Sequence, residues 1–173
     1  ILVKQTKGKE NEADSKEFDQ KEFDQYIYDP GNPTLSPKYS LRKHKKKRYH
    51  AALEAQNDAL IYKFTNAGEP FTIAGPIYAN LFASTSAKDT DWFVSLEVIE
   101  PDGKILHLTK GAFRARFRNS FSHPELLEEN KIYKYTIDLW HTGITLRKGS
   151  TLRIHIASAC FPYFSRNLNT GGN

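Results

Sequence analysis

Between Trp92 and Val98 the apolar residues Trp92, Val94, Leu96 and Val98 fall on every second position. In an extended chain that spacing puts all four on one face of a sheet, so it predicts a half-buried strand. Pro101-Asp102-Gly103 follows. Proline presets its own φ and glycine is free to take the positive φ of a tight hairpin, so the chain is expected to reverse there and return antiparallel from Lys104 to Thr109. After Gly111, the residues Phe113, Ala115 and Phe117 alternate with Arg114, Arg116 and Arg118. This reads as a third strand with an aromatic inner face and a guanidinium row outside. Without a helical pattern or interleaved exposed aromatics, the row reads as a solvated or ion-paired sheet face, not a nucleic-acid stripe.

The same reading extends to almost everything beyond Asn57. Strands are expected at Leu60 to Phe64, Phe71 to Ile73, Ile77 to Ala83, Trp92 to Ile99, Ile105 to Leu108, Ala112 to Phe117, Tyr133 to Trp140 and Thr151 to Ala159. About eight strands with short turns suit an all-β fold, a two-sheet sandwich or jelly roll. Pro76 belongs at a strand start or edge, where a missing N–H does no harm. Ala51 to Gln56 is a plausible helical turn, and Pro124 to Asn130 a second short one.

At 173 residues the chain can bury one sizeable core, removing roughly 70% of the surface exposed by its unfolded form. The formal charge of +5 is local, because Arg42, Lys43, Lys45, Lys46, Lys47 and Arg48 stand together. Such a run can bind phosphates or anionic lipid, but in a loop before the first core strand it reads as solvated. Residues 1–25 are rich in Lys, Glu, Asp and Gln and contain the tandem Lys16-Glu-Phe-Asp-Gln20, Lys21-Glu-Phe-Asp-Gln25. They read as a polar linker or tail from an upstream domain, leaving residues 26–173 as the folded unit. The chain begins Ile1-Leu2-Val3 and reads as a piece of something longer. The single Cys160 excludes an internal disulfide and reads as a buried thiol beside Phe161. No secretory signal and no apolar run of about 18 residues is present, so a soluble chain without a membrane span is expected. The compartment of the parent stays open, with a lean towards the cytoplasm.

Ten short motifs then occur in a fixed order: Asp29-Pro30-x-x-Pro33, Asp58-Ala-Leu-Ile-Tyr62, Ile73-Ala-Gly-Pro-Ile77, Asp89-Thr-Asp91, Pro101-Asp-Gly103, Gly111-Ala-Phe-Arg-Ala-Arg116, Leu139-Trp140, Gly149-Ser-Thr-Leu-Arg153, Ser158-Ala-Cys-Phe-Pro162 and Arg166-Asn-Leu-Asn-Thr-Gly171. In this order and spacing the chain, from about Tyr26 to Gly171, resembles the C-terminal jelly-roll domain of the cocaine esterase and Xaa-Pro dipeptidyl-peptidase family of serine hydrolases. The resemblance implies a galactose-binding-domain-like sandwich carried behind an α/β-hydrolase domain with a Ser-His-Asp triad and a helical cap. It also implies substrates that are esters or amides, a non-catalytic role packed on the hydrolase domain and helping to wall its acyl pocket, and a possible homo-oligomer. Family members usually continue past the Asn-Thr-Gly segment into a further strand, so the expectation is either a sandwich truncated or disordered at that point or a last strand that comes from elsewhere.

The chemistry of a hydrolase site is not expected within the chain itself. A nucleophile elbow needs Gly-x-Ser-x-Gly on a strand-to-helix turn, and Gly149-Ser150 lacks the second glycine. The histidines His44, His50, His107, His123, His141 and His155 show no zinc spacing and read as structural or solvent residues. Catalytic, cofactor and metal residues are therefore expected to be none. Asp89 and Asp91 are of a kind that can hold calcium, but at a strand start they more often make turns or pair with arginine, with Arg114 and Arg116 as candidate partners. Trp140, Phe161, Tyr163 and Phe164 are candidates for packing against a neighbouring domain, core burial being the alternative. Two rivals remain: a carbohydrate-binding jelly-roll module, which needs Trp92, Trp140 or several tyrosines exposed in a row, and an anion-binding module using Arg42 to Arg48. The alternation favours burial for both tryptophans, and no nucleic-acid partner is expected.

Overall fold

The computed structural model describes residues 2–4, 23–36 and 57–172. The basic run at 42–48, the helical turn expected at 51–56 and most of the tandem at 16–25 lie outside the described residues. Eight strands follow in chain order: β1 Leu2–Lys4, β2 Phe23–Gln25, β3 Ala59–Thr65, β4 Phe71–Ser84, β5 Asp91–Ile99, β6 Ile105–Arg114, β7 Tyr133–Leu146 and β8 Thr151–Ala157. They form two four-stranded sheets in the orders β2-β1-β4-β7 and β3-β8-β5-β6, with every named pair antiparallel. The fold is a β-sandwich. Two of its strands, β1 and β2, fall in the segment read from sequence as a polar linker.

The core lies where the alternation of β5 places it. Trp92, Val94, Leu96 and Val98 are all buried, and Tyr135, Ile137 and Leu139 of β7, with Leu81 and Ala83 of β4, join Trp92 and Val94 in one cluster from the other sheet. Trp92 and Tyr135 pack with their ring centroids 5.5 Å apart. Each such side chain contributes about 1.5–3 kcal/mol when fully removed from water.

Where the sequence suggested breaks, the strands instead run on. The two strands expected at 71–73 and 77–83 are one strand of 14 residues, with Gly75 at φ 114° and a register shift between Pro76 and Tyr78. Across that shift Pro76 faces His141 and Tyr78 faces Asp138, so β7 carries the extra residue of a bulge. Pro76 is tolerated because, among the described residues, β4 pairs there on one side only. Likewise, the strands expected at 105–108 and 112–117 are one strand ending at Arg114, after which Ala115–Phe117 form a 3₁₀ turn. The hairpin around Pro101-Asp102-Gly103 therefore has two strands, not three, and the row of outward arginines does not form. The segment Pro124 to Asn130, expected as a helical turn, is irregular.

Side chains close the gaps between the two sheets at both flanks. On one, the Tyr62 hydroxyl donates to Asp24 Oδ2 at 2.8 Å, tying β3 to β2. On the other, Thr109 Oγ1 of β6 donates to the Leu139 carbonyl of β7. Gly111 lets the strands come this close, for a Cβ built on it would lie 2.3 Å from the Asp138 carbonyl oxygen. Among the described residues no helix is long and apolar enough to cross a membrane.

Candidate functional site

Two groups of side chains stand out. The first is polar and sits where β5 begins and β6 ends. Asp91 accepts a bidentate pair from Arg114, Nε to Oδ1 at 2.8 Å and Nη2 to Oδ2 at 3.0 Å. Asp89, fully buried, accepts from the Arg116 backbone N–H at 2.9 Å and from Arg116 Nε at 2.8 Å. Asn167 bridges the two carboxylates through its Nδ2, at 2.8 Å to Asp89 and 2.9 Å to Asp91. Tyr28 in turn donates to the Asn167 carbonyl at 3.0 Å. Sequence reasoning paired the aspartates with the arginines by proximity in the chain; Asn167, 76 residues away from Asp91, carried no such signal.

The donors around these carboxylates are guanidinium and amide groups, which suit an anion and repel a calcium ion. Among the described residues no group of His, Cys, Asp or Glu is arranged to hold a metal. The cluster instead clamps the C-terminal arm onto the sandwich. Asn167→Ala should cost about 2 kcal/mol, because it removes buried hydrogen bonds to two charged groups. Urea unfolding checks this, and a change below about 0.5 kcal/mol would show that the clamp carries no stability.

The second group is aromatic. Trp140, expected to be buried, is 69% exposed. Tyr135, Ile137 and Leu139 use up the inward positions of β7, and the bulge holds Trp140 at φ 67° with its N–H donating to Asp138 Oδ1 at 2.6 Å. A bulky residue with positive φ is an outlier that its surroundings must impose. Trp92 is fully buried, so the two tryptophans differ. Phe161, Tyr163 and Phe164 are also exposed. Leu35 forms a parallel bridge with Phe161, Phe93 packs against Phe164 with centroids 5.1 Å apart, and Lys110 Nζ stands 5.2 Å from the Tyr163 centroid.

A cavity of about 300 Å³ opens beside Trp140 and Phe164. Its lining includes Phe93, Ser95 and His155 from the second sheet, with Cys160, Phe164 and Trp140 around them. Cys160 is buried and free, and its burial raises the thiol's pKa. That environment suits a small hydrophobe rather than a nucleophile. Ser150 is fully buried and donates to Glu100 Oε2 at 2.9 Å, so it fills a turn, not an elbow.

Glu97, Arg153, His107 and His155 fall on the same outer face of the second sheet. Arg153 Nε donates to Glu97 Oε2 at 2.9 Å, and His107 Nδ1 lies 2.6 Å from Glu97 Oε1. Both members of the Glu97–Arg153 pair are buried.

The model of the X-Pro dipeptidyl-peptidase C-terminal non-catalytic domain matches residues 2–173. The chain belongs to this family. The matched span includes residues 2–25, the segment that reads from sequence as a tail. Among relatives, cocaine esterase of Rhodococcus sp. (strain MB1 Bresler) is 34% identical over 150 residues, covering 85% of this chain and 26% of the esterase. An aminopeptidase from a marine sediment Thaumarchaeota archaeon superposes with a TM-score of 0.75 at 27% identity, over 85% of this chain and 27% of that one. An alpha-amino acid ester hydrolase gives a TM-score of 0.74 at 26% identity, over 85% of this chain and 26% of that one. The chain thus spans about a quarter of the length of these relatives. As a member of the C-terminal non-catalytic domain family it presents an aromatic surface and a structural ion-pair clamp.

Proposed function

We propose that this domain packs on the α/β-hydrolase domain of a serine hydrolase, of the esterase, acylase or Xaa-Pro dipeptidyl-peptidase type, and helps to shape its acyl pocket. The observation that carries the reading is the family match across the whole domain, joined to the aromatic group Trp140, Phe161, Tyr163 and Phe164. Four large exposed aromatics, of which Trp140 and Phe164 line one cavity, are unusual for a surface that faces water alone. Aromatic side chains of this kind anchor interfaces, because they bury a large area for few lost rotamers.

The chain alone is then inert, and a parent polypeptide carrying it turns over p-nitrophenyl butyrate or Gly-Pro-p-nitroanilide. In that parent, Trp140→Ala together with Phe164→Ala should raise susceptibility to proteolysis between the domains and lower turnover at least fivefold, as expected when about 1 kcal/mol of positioning is lost. Turnover by the isolated chain that a serine-directed fluorophosphonate abolishes would sink the reading.

One observation favours a second reading. The exposure of Trp140 is what a carbohydrate platform needs. Intrinsic fluorescence that stays unchanged across a panel of glycans would remove this alternative.

A further inference from the structure

We propose that the loop end of the sandwich beyond Ser84, where Phe121, Leu126 and Leu168 stand exposed, is a second docking surface for the hydrolase domain, besides the aromatic group at Trp140. The inference rests on the reading that a parent chain carries such a domain. Phe121 is 81% exposed, Leu168 56% and Leu126 47%. Single exposed apolar side chains are ordinary, but three on adjoining loops make a patch of the kind that marks a contact site. The loops adjoin because they are tied together. The Leu127 N–H donates to the Lys88 carbonyl at 2.8 Å and the Asn130 N–H to the Thr85 carbonyl at 2.7 Å. Leu126 reaches the C-terminal arm, since a Cβ built on Gly171 would lie 3.1 Å from its Cδ2.

The tips are apolar, but their supports are polar and fixed. Arg118 Nη1 donates to the Glu125 carbonyl at 2.6 Å and Nη2 to the Leu126 carbonyl at 3.3 Å, while Asn119 Nδ2 donates to Glu125 Oε2 at 2.8 Å. Side chains thus close the base of the loop that carries Phe121. Ser120 Oγ accepts from the N–H groups of Ser122 and His123, both at 3.2 Å, which turns the tip. Phe121 then stacks on Phe117 with centroids 6.1 Å apart. On the arm, Leu168 follows Asn167, which Asp89 and Asp91 hold, and Arg166 Nη1 donates to the Pro30 carbonyl at 2.9 Å. Loops already held in one shape lose little entropy on contact, so their apolar tips can act as anchors.

The occupant follows from the place at which a parent joins this domain. The matched domain is C-terminal in its family, and the chain covers 26% of the esterase and 27% of the aminopeptidase. In a parent of that kind the preceding polypeptide arrives through β1, whose Leu2 lies opposite Ser84. The segment that supports these loops, Thr85 to Lys88, begins at the next residue. A hydrolase domain is therefore tethered at the end that carries the three tips, and tethering raises the local concentration of one surface at the other. Phe64, also exposed at 55%, lies near the opposite end, beside Thr65, which pairs with Thr151 as does Ile99.

Cysteine labelling of the parent polypeptide tests the proposal. Phe121→Cys and Leu168→Cys, made singly, should react with a bulky maleimide about tenfold more slowly than Phe64→Cys, as expected of sites within an interface. Each rate is read by peptide mass at its own position. The two sites lie on different loops, so a folding defect in one variant leaves the other as the test. Labelling at 121 and 168 as fast as at 64 would overturn the inference. Trp140→Cys separates it from the function proposed above: protection at 140 with free labelling at 121 and 168 keeps that reading and sinks this one, whereas protection at 121 and 168 supports this one even where 140 labels freely. Protection at 121 and 168 that disappears on about tenfold dilution would assign the surface to a second copy of the parent and also overturn the proposal, because contact within one chain does not depend on concentration.

Discussion

Gly111→Ala should lose about 3 kcal/mol of stability, the upper part of the range for forced overpacking. The added methyl would stand 2.3 Å from the Asp138 carbonyl oxygen, 2.7 Å from Leu139 Cδ2 and 3.0 Å from Ile137 Cγ2. The nearest of these is backbone, which cannot rotate away as a side chain would. Relief therefore requires β6 and β7 to part, and that breaks the Thr109 hydrogen bond to Leu139 across the same seam. A loss of this size is a large fraction of the 5–15 kcal/mol that holds a domain together. Gly143 is the control, because a Cβ there meets nothing within 4 Å; Gly143→Ala should change stability by less than about 0.5 kcal/mol. Urea unfolding of both variants checks the pair of results. Equal midpoints would mean that the seam yields without cost.

Glu97→Ala should be comparably damaging, at about 3–5 kcal/mol, because it takes the carboxylate from a buried guanidinium. Replacing both Glu97 and Arg153 by methionine should recover most of that loss, since a buried ion pair gains little over an apolar pair of similar volume. The pair also sets a pH dependence. Burial alone would raise the Glu97 pKa, but hydrogen bonds from His107 and Arg153, with their charges, outweigh it and hold the carboxyl at about 2. A carboxyl whose pKa is lower folded than unfolded contributes stability above its unfolded pKa and loses it on acidification. The contribution, on the order of 3 kcal/mol, should therefore be complete above about pH 5 and fall away between the ordinary value of 4.5 and about 2. Unfolding free energies across that window, compared with those of the double methionine variant, isolate it. A parallel pH dependence in both proteins would remove Glu97 as its source.

The strands were legible because the residues of β5 alternate over a long enough run to fix a face. Their ends and joins were not. Gly75-Pro76 and Gly111 look like punctuation in the sequence, yet both lie inside strands: the first at a bulge, the second where another strand's backbone comes close. Neither cause is local, so no window of sequence contains it. Trp140, a candidate for domain packing, differs: the alternation reading favoured its burial, and that part failed on a local ground. Its inward neighbours Ile137 and Leu139 already turn it outwards by alternation, and only its positive φ belongs to the bulge that the pairing of β7 with β4 defines. The Asp89 and Asp91 clamp could be half seen, since Arg114 ends the next strand and Arg116 lies in the turn after it, whereas Asn167 arrives from the far end of the chain. The Glu97–Arg153 pair exists only through the register of β5 against β8, its members standing 56 positions apart in sequence.

The edge of β4 from 71 to 81 is another matter. Leu2–Lys4 pairs only with 82–84, and along the rest of that side no described strand lies beside it. The inward residues change with the coverage: Leu81 and Ala83 are buried, while Ile73, Ile77 and Ala79 are only half-buried. Any extended backbone that takes that edge meets a half-covered floor, and such a floor favours a strand that sets apolar residues on it at every second position.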